Sequence, residues 1–419
     1  MRARRRRHYP RSSCVHADRM LLHSCAIGCR MQIDYRASQS ATDVIAAIGR
    51  TEDIKFSPRN NLLAVAGYAK NKIAVFNIDI DITDGTKITL ADAFELYSEQ
   101  LKEPHGLDFL DEETIIVTNR SGNAIFLKLP TDEKLKNRFN LTPLEVIRSD
   151  AVGLLHGPGS ASISRIDRKL HEALICSNYG NYVTRHQVDL SAGCSVKSNE
   201  VLLKKWLAIP DGVCISRDRH WIAISNQKMR GVFLYEYTSS LGALSEPDGI
   251  LRYVFSPHGV RFTPDGEFIV VADGGAPYVH IYAKSRSSWR GAHTPITSLR
   301  VMEDEEYLRL RSNPHEGGPK GIDVDNAMNV LAVTCESRPL VFFDLRAILE
   351  STRPSENQEI DAREQASELR YELEIQNRLN EQIKEIEEQF ASSRSWRITA
   401  PLRRISSALR SLVAQQPRA

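Results

Sequence analysis

Two histidines occupy the same tripeptide frame, Pro104-His105-Gly106 and Pro257-His258-Gly259, and the frame recurs with Asp211 in Pro210-Asp211-Gly212 and Lys320 in Pro319-Lys320-Gly321. An imidazole titrates near neutrality and suits a general base acting on water, and an ammonium group suits an oxyanion. Aligned on the apolar stretches that follow, the frames give six leading positions: Glu52, His105, Gly159, Asp211, His258 and Lys320. A second set closes the next apolar stretch: Gly67, Asn119 with Arg120, Asn178, Asn226, Asp273, and Cys335 or Glu336. Carboxylates, imidazoles, amides and a lysine gathered at one mouth would bind a small anion, a sugar or a metal. His105, His258 and Lys320 are the catalytic candidates. Glu52, Asn119, Arg120, Asn178, Asp211, Asn226, Asp273 and Glu336 are the ligand-binding candidates. Each has a plainer reading, because Asn and Asp after a strand cap turns and a His before Gly can bond its neighbour. The spacing fixes neither a metal set nor a cofactor; a divalent cation is an open option.

What must position them is a repeat. The clearest unit runs from Gly259 to Asp273, two alternating strands around a Pro264-Asp265-Gly266 turn, followed by Tyr278 to Tyr282. Equivalent first strands begin near Ile54, Leu107, Ala161, Val213, Val260 and Ile322, a period of roughly fifty residues, which marks a β-propeller. The expectation is an all-β, six-bladed propeller over residues 40–349, with seven blades the weaker count. The last unit lacks an outer strand, and Thr42 to Gly49 is expected to supply it and close the ring.

The chain of 419 residues carries a net charge of +2, which gives no global push toward nucleic acid, and none is expected as partner. Its ends are basic. Residues 1–30 hold eight arginines against Asp18 alone. Three readings of that leader stand: a signal peptide with a marginal core, a lipoprotein box at Ala26 to Cys29, or an extension upstream of a start at Met31, the reading favoured. No run of about 18 apolar residues exists, so no spanning helix is expected, and the chain is read as cytoplasmic and at most peripheral to a membrane. The dispersed Cys176, Cys194, Cys214 and Cys335 read as thiols in a reducing compartment.

Beyond a linker at 350–359, residues 360–392 repeat apolar positions by threes and fours and read as a coiled coil for self-association or a protein partner. Residues 393–419 contain six arginines and no acid, and Leu402, Ile405, Leu409 and Leu412 share one helical face. Such a basic amphipathic helix fits an anionic membrane surface or a docking protein equally.

The stretch Pro257 to Asp273, with Pro104 to Phe109, resembles the repeat of 6-phosphogluconolactonase-type (lactonase) propellers. That resemblance implies a propeller and suggests hydrolysis of sugar lactones. Six-bladed calcium-dependent gluconolactonases hold a metal with Glu, Asn and Asp, which Glu52, Asn178, Asn226 and Asp273 could imitate. The tail Ser393-Arg-Ser-Trp-Arg-Ile-Thr-Ala-Pro-Leu-Arg403 resembles a sequence of bacterial glycosyltransferases and methyltransferases of surface-polysaccharide assembly. It implies a glycan context without implying sugar transfer, since no phosphate-cradling glycine loop or nucleotide-binding βαβ pattern accompanies it. The leading expectation is a propeller binding a sugar, glycan precursor or protein partner at its funnel. A lactonase-like hydrolase and a non-catalytic oligomeric scaffold are the alternatives.

Overall fold

A computed structural model describes residues 31–130, 137–149, 154–285, 287–311 and 316–352. They belong to one compact unit that ends at Arg353. The leader at 1–30, most of the linker, the coiled coil at 360–392 and the basic tail at 393–419 lie outside the described residues.

Six sheets form a six-bladed β-propeller. The innermost strands are Thr51–Phe56, Pro104–Phe109, Pro158–Arg165, Pro210–Ile215, Pro257–Phe262 and Gly321–Val324. Each packs beside the next, and the last beside the first, so the ring closes. Within a blade the order is that of the chain, as in blade 5: Pro257–Phe262, Phe268–Asp273, Tyr278–Ala283 and Thr297–Arg300, paired antiparallel. Blade 1 is widened by Arg138–Asn140 and by Tyr35–Ala37, both parallel to Lys87–Tyr97. Blade 4 gains Gly291–His293 beside Gly249–Leu251.

Second strands such as Thr114–Asn119 and Trp221–Asn226 are buried along their whole length, because each blade is covered on both faces by its neighbours. Their β-branched and aromatic residues fill the layers between blades. Val232, Leu234, Val260, Ile269, Val271 and Trp289, for instance, join blades 4 and 5 in one cluster.

The ring is closed by Gln32–Ile33, antiparallel to Val341–Asp344 with Ile33 opposite Phe342. The strand expected at Thr42–Gly49 is instead part of a helix, α1 (Gln39–Ala47), capped by Ser38, whose Oγ accepts from Ala41 N. The reason is periodicity. Ala41, Val44 and Ile48 step by three and four and place one apolar face against Leu63, Phe76 and Phe342 across the seam of blades 1 and 6.

Candidate site at the funnel mouth

The Pro-x-Gly frame has a structural cause. In blades 1 to 5 the register between first and second strand slips at this point; from Pro257 opposite Asp273 the pairing resumes at Val260 opposite Val271, one residue extra on the inner strand. Such a bulge re-aims a side chain, here the residue between Pro and Gly. The glycine is needed because the next blade comes too close for any side chain. A Cβ on Gly212 would lie 2.0 Å from the His258 carbonyl oxygen, and one on Gly259 would lie 2.5 Å from that of Lys320. Gly106 and Gly321 meet Ser160 and Asp53 of the following blades in the same way.

The leading positions therefore converge. Lys320 Nζ bonds Glu52 Oε1 at 2.8 Å, and Arg50 Nε reaches the same oxygen at 2.6 Å. Glu52 Oε2 faces the imidazoles, 3.3 Å from His258 Nε2 and 3.6 Å from His105 Nε2, and accepts no hydrogen bond among the described residues. The two rings stack, with centroids 5.1 Å apart and planes 23° from parallel. Asp211 approaches the same two nitrogens, its Oδ2 3.0 Å from His258 Nε2 and its Oδ1 3.7 Å from His105 Nε2. Asn178 Nδ2 donates to Asp211 Oδ1 at 2.8 Å, Gln227 Nε2 to Oδ2 at 2.9 Å and Arg120 Nη2 to Oδ1 at 3.0 Å. The same Arg120 nitrogen touches His105 Nε2, and Nη1 bonds the Gly157 carbonyl.

Five leading side chains, Glu52, His105, Asp211, His258 and Lys320, are buried. Burial works against the Glu52 charge, but the Lys320 ammonium and the two imidazoles outweigh it and hold the carboxyl well below the usual carboxylate range. Asp211 is likewise pulled far down against the cost of burial, by His258, His105 and Arg120. Burial, reinforced by the Arg120 guanidinium, keeps the His105 imidazole well below its ordinary value, so the ring is neutral at neutral pH. Two ionised carboxylates thus face a neutral imidazole whose Nε2 is its accepting nitrogen. Perturbed, buried groups concentrated in one place make this cluster the functional-site candidate.

The positions after the second strand divide. Asn178 and Arg120 join the cluster. Burial works against the Arg50 charge, but Glu52, Glu316 and, least of them, Glu336 outweigh it and raise that guanidinium's affinity for its proton. Asn119 accepts from Lys102 N and donates to the Asn123 carbonyl, and Asn226 accepts from Ala208 N and donates to the Trp206 carbonyl. Asp273 accepts from the backbone of Phe255, Ser256 and Gly275. These three side chains are turn caps, so a Glu, Asn, Asp calcium set built on Asn226 and Asp273 is not assembled.

What faces the mouth is the residue one position farther: Tyr68, Arg120, Tyr179 and Gln227. Of these, sequence reasoning missed Tyr68, Tyr179 and Gln227. Tyr68 lies edge-on to His105 and under Arg50, whose guanidinium carbon is 4.6 Å from the ring centroid. Tyr179, 70% exposed, stands beside Arg120 at the rim. The signal was their common offset, one residue beyond the position that ends the second strand (Gly67, Asn178 and Asn226).

Three residues farther along each inner strand lies a second ring: Lys55, Asp108, Ser162, Cys214, Arg261 and Asp323. It joins the blades. Asp108 Oδ2 accepts Ile163 N at 2.7 Å, Ser162 Oγ accepts Ile215 N at 3.1 Å and Asp323 Oδ2 accepts Phe56 N at 2.8 Å, each across to the next inner strand. Lys55 and Arg261 pair with Asp323 at 3.7 and 3.3 Å. Burial pushes the carboxyls of Asp53 and Asp108 up to about 6 despite Lys55.

No protein-family profile matches the chain, and no curated protein does. Among solved structures it is similar to a functionally unknown protein from Desulfotomaculum acetoxidans at 12% identity and TM-score 0.43, covering 70% of this chain and 85% of that one. A candidate 6-phosphogluconolactonase from Bacteroides uniformis is 16% identical at TM-score 0.39, with 56% of this chain and 67% of that one covered. A Lactobacillus plantarum protein is 14% identical at TM-score 0.43, over 68% and 77% of the two chains. Likeness this distant carries no statement about chemistry. No helix among the described residues is long and apolar enough to cross a membrane.

Proposed function

We propose that the funnel mouth binds a small hydroxyl-bearing molecule of the sugar or sugar-acid class. The observation that carries this reading is the convergence of Glu52, His105, Asp211, His258 and Lys320, all buried at one mouth. Burying charges is costly, and unlike the deeper ring, which bonds the backbone of the next blade, these side chains turn toward one another. Tyr68 and Tyr179 offer ring faces at the rim, while Asp211, Asn178, Gln227 and Arg120 offer alternating acceptors and donors for hydroxyls. Calorimetry of the full chain with a panel of neutral sugars, sugar acids and lactones tests it. One member should bind the parent and lose at least about tenfold with Asn178→Ala or Gln227→Ala, the loss of about one hydrogen bond to a charged group. A panel without a binder refutes the sugar class.

A second reading, hydrolysis of a sugar lactone, is favoured by one feature, the stacked pair in which His105 is kept neutral, so that its Nε2 can take a proton from water once Arg120 Nη2 is displaced from it. Lys320 would then steady the carbonyl oxyanion. Turnover of a lactone by the parent and its loss in a His105→Ala/His258→Ala double variant would support it; no turnover by the parent would leave a binding protein. Recruitment to glycan assembly, through a coiled coil at 360–392 and a basic tail at 393–419 that meets a protein or an anionic membrane, belongs to the same proposal and rests on the tail sequence alone.

A further inference from the structure

We infer that Glu52, His105 and His258 form a site for one transition-metal dication. Their donor atoms lie within 4.8 Å of one another. Glu52 Oε2 sits 3.3 and 3.6 Å from the two imidazole nitrogens. Ligands about 2.1 Å from a common tetrahedral ion are about 3.4 Å apart, close to the two carboxylate–imidazole separations. The independent observation is Glu52 Oε2 itself. The side chain is fully buried, its other oxygen is taken by Lys320 and Arg50, and Oε2 is left aimed between two imidazoles without a hydrogen bond among the described residues. A buried carboxylate oxygen in that state needs a positive partner, and two nitrogens beside it select an imidazole-preferring ion such as zinc or cobalt over calcium.

Asp211 adds a second negative charge at the same two nitrogens, its Oδ2 3.0 Å from His258 Nε2, a contact that an ion there must share or replace. Its oxygens are already taken by Arg120, Asn178 and Gln227, so it balances the charge of the ion and keeps its own hydrogen bonds. Arg120 is the competitor. Its Nη2 occupies the His105 Nε2 lone pair, and an ion at the site displaces that nitrogen. The guanidinium keeps two other partners when it leaves, the Gly157 carbonyl and the Tyr179 ring. The site is therefore a choice between two cations, one built into the chain and one from solution.

The inference concerns the same mouth but does not rest on the sugar reading, because an ion can bind with no sugar present. The full chain, stripped with chelator, is titrated with zinc, cobalt and calcium ions in the absence of any sugar. The expected result is a site for zinc and cobalt that weakens at least about 100-fold in His258→Ala and in Glu52→Gln, since losing even an outer partner of a ligand costs 10–100-fold. Arg120→Gln should bind the ion more tightly than the parent. Circular dichroism checks each variant for folding, and an ion-dependent rise in the parent's thermal midpoint that Glu52→Gln lacks gives a reading where His258→Ala fails to fold. Equal binding by the parent, Glu52→Gln and His258→Ala overturns the inference, as does a parent that binds no transition ion, or weaker binding in Arg120→Gln.

Discussion

Asp108→Asn should make the protein more stable at pH 7.5 and leave it little changed near pH 4. Asp108 is enclosed by inner strands, accepts backbone N–H groups from Ile163 and Phe109, and has its carboxyl pushed up to about 6 by burial, against the pull of Lys55. Its unfolded value is 3.8. Between those values the folded chain holds a proton that the unfolded chain has lost, so stability falls as pH rises through the window, and the penalty is complete above about 6. Two pH units correspond to about 3 kcal/mol. The side chain is partly open to the channel, and water there relieves some of the cost, which reduces the expected gain to about 1–2 kcal/mol. Asparagine keeps the carbonyl acceptor for Ile163 and removes the charge, while Lys55 keeps Asp323 at 3.7 Å. Urea midpoints at pH 4, 6 and 7.5, with unchanged slope, measure the difference. An Asn variant less stable than the parent at pH 7.5, or one shifted equally at every pH, would refute the argument. The second ring would then be an ion network that the fold needs charged.

Three further outcomes follow from the geometry. Gly212→Ala should cost about 1–3 kcal/mol or more in urea unfolding, because its Cβ would lie 2.0 Å from the His258 carbonyl oxygen and the inner strands must part to admit it. Ile33→Pro should lower the thermal midpoint, because it removes a ladder donor from the strand that closes blade 6, whereas Tyr179→Ala at the open rim should leave that midpoint within experimental error. Asp273→Ala should lose about 1–3 kcal/mol of stability by stranding the N–H groups of Phe255 and Ser256, and a parent-like unfolding curve would count against its capping role.

The fold was legible because its most demanding contact is written in residue type. Where four of the six inner strands meet the next there is no room for a Cβ, so glycine stands there with proline two residues before it, Asp53 and Ser160 taking that place in blades 1 and 3, and a bulge recurs with the same period. The leading positions follow directly, and all five of their side chains meet at the mouth. The positions after the second strand were less legible, since Asn119, Asn226 and Asp273 look like ligands yet bond the backbone of the adjoining loops, with His280 a further partner of Asp273. Asn178 has the same place in its blade and a different task, because the neighbouring leading residue is Asp211, a carboxylate within reach of its amide. Residue type alone does not distinguish these cases; the neighbour across the blade gap does.

The closing strand was hidden for a related reason. Thr42 to Gly49 carries enough apolar residues for a strand, but Ala41, Val44 and Ile48 recur at helical spacing, and Ser38 supplies a cap three residues earlier. Only two residues, Gln32 and Ile33, complete blade 6, too few to show any alternation. The second ring was readable in principle. Lys55, Asp108, Ser162, Arg261 and Asp323 each stand three residues beyond a leading position, polar side chains in strands that are otherwise apolar. That regularity also separates the two rings by role. The deeper residues bond the backbone of the next blade and hold the ring together, whereas Glu52 Oε2 and the imidazoles at the mouth turn toward one another and leave a carboxylate oxygen without a hydrogen-bond donor.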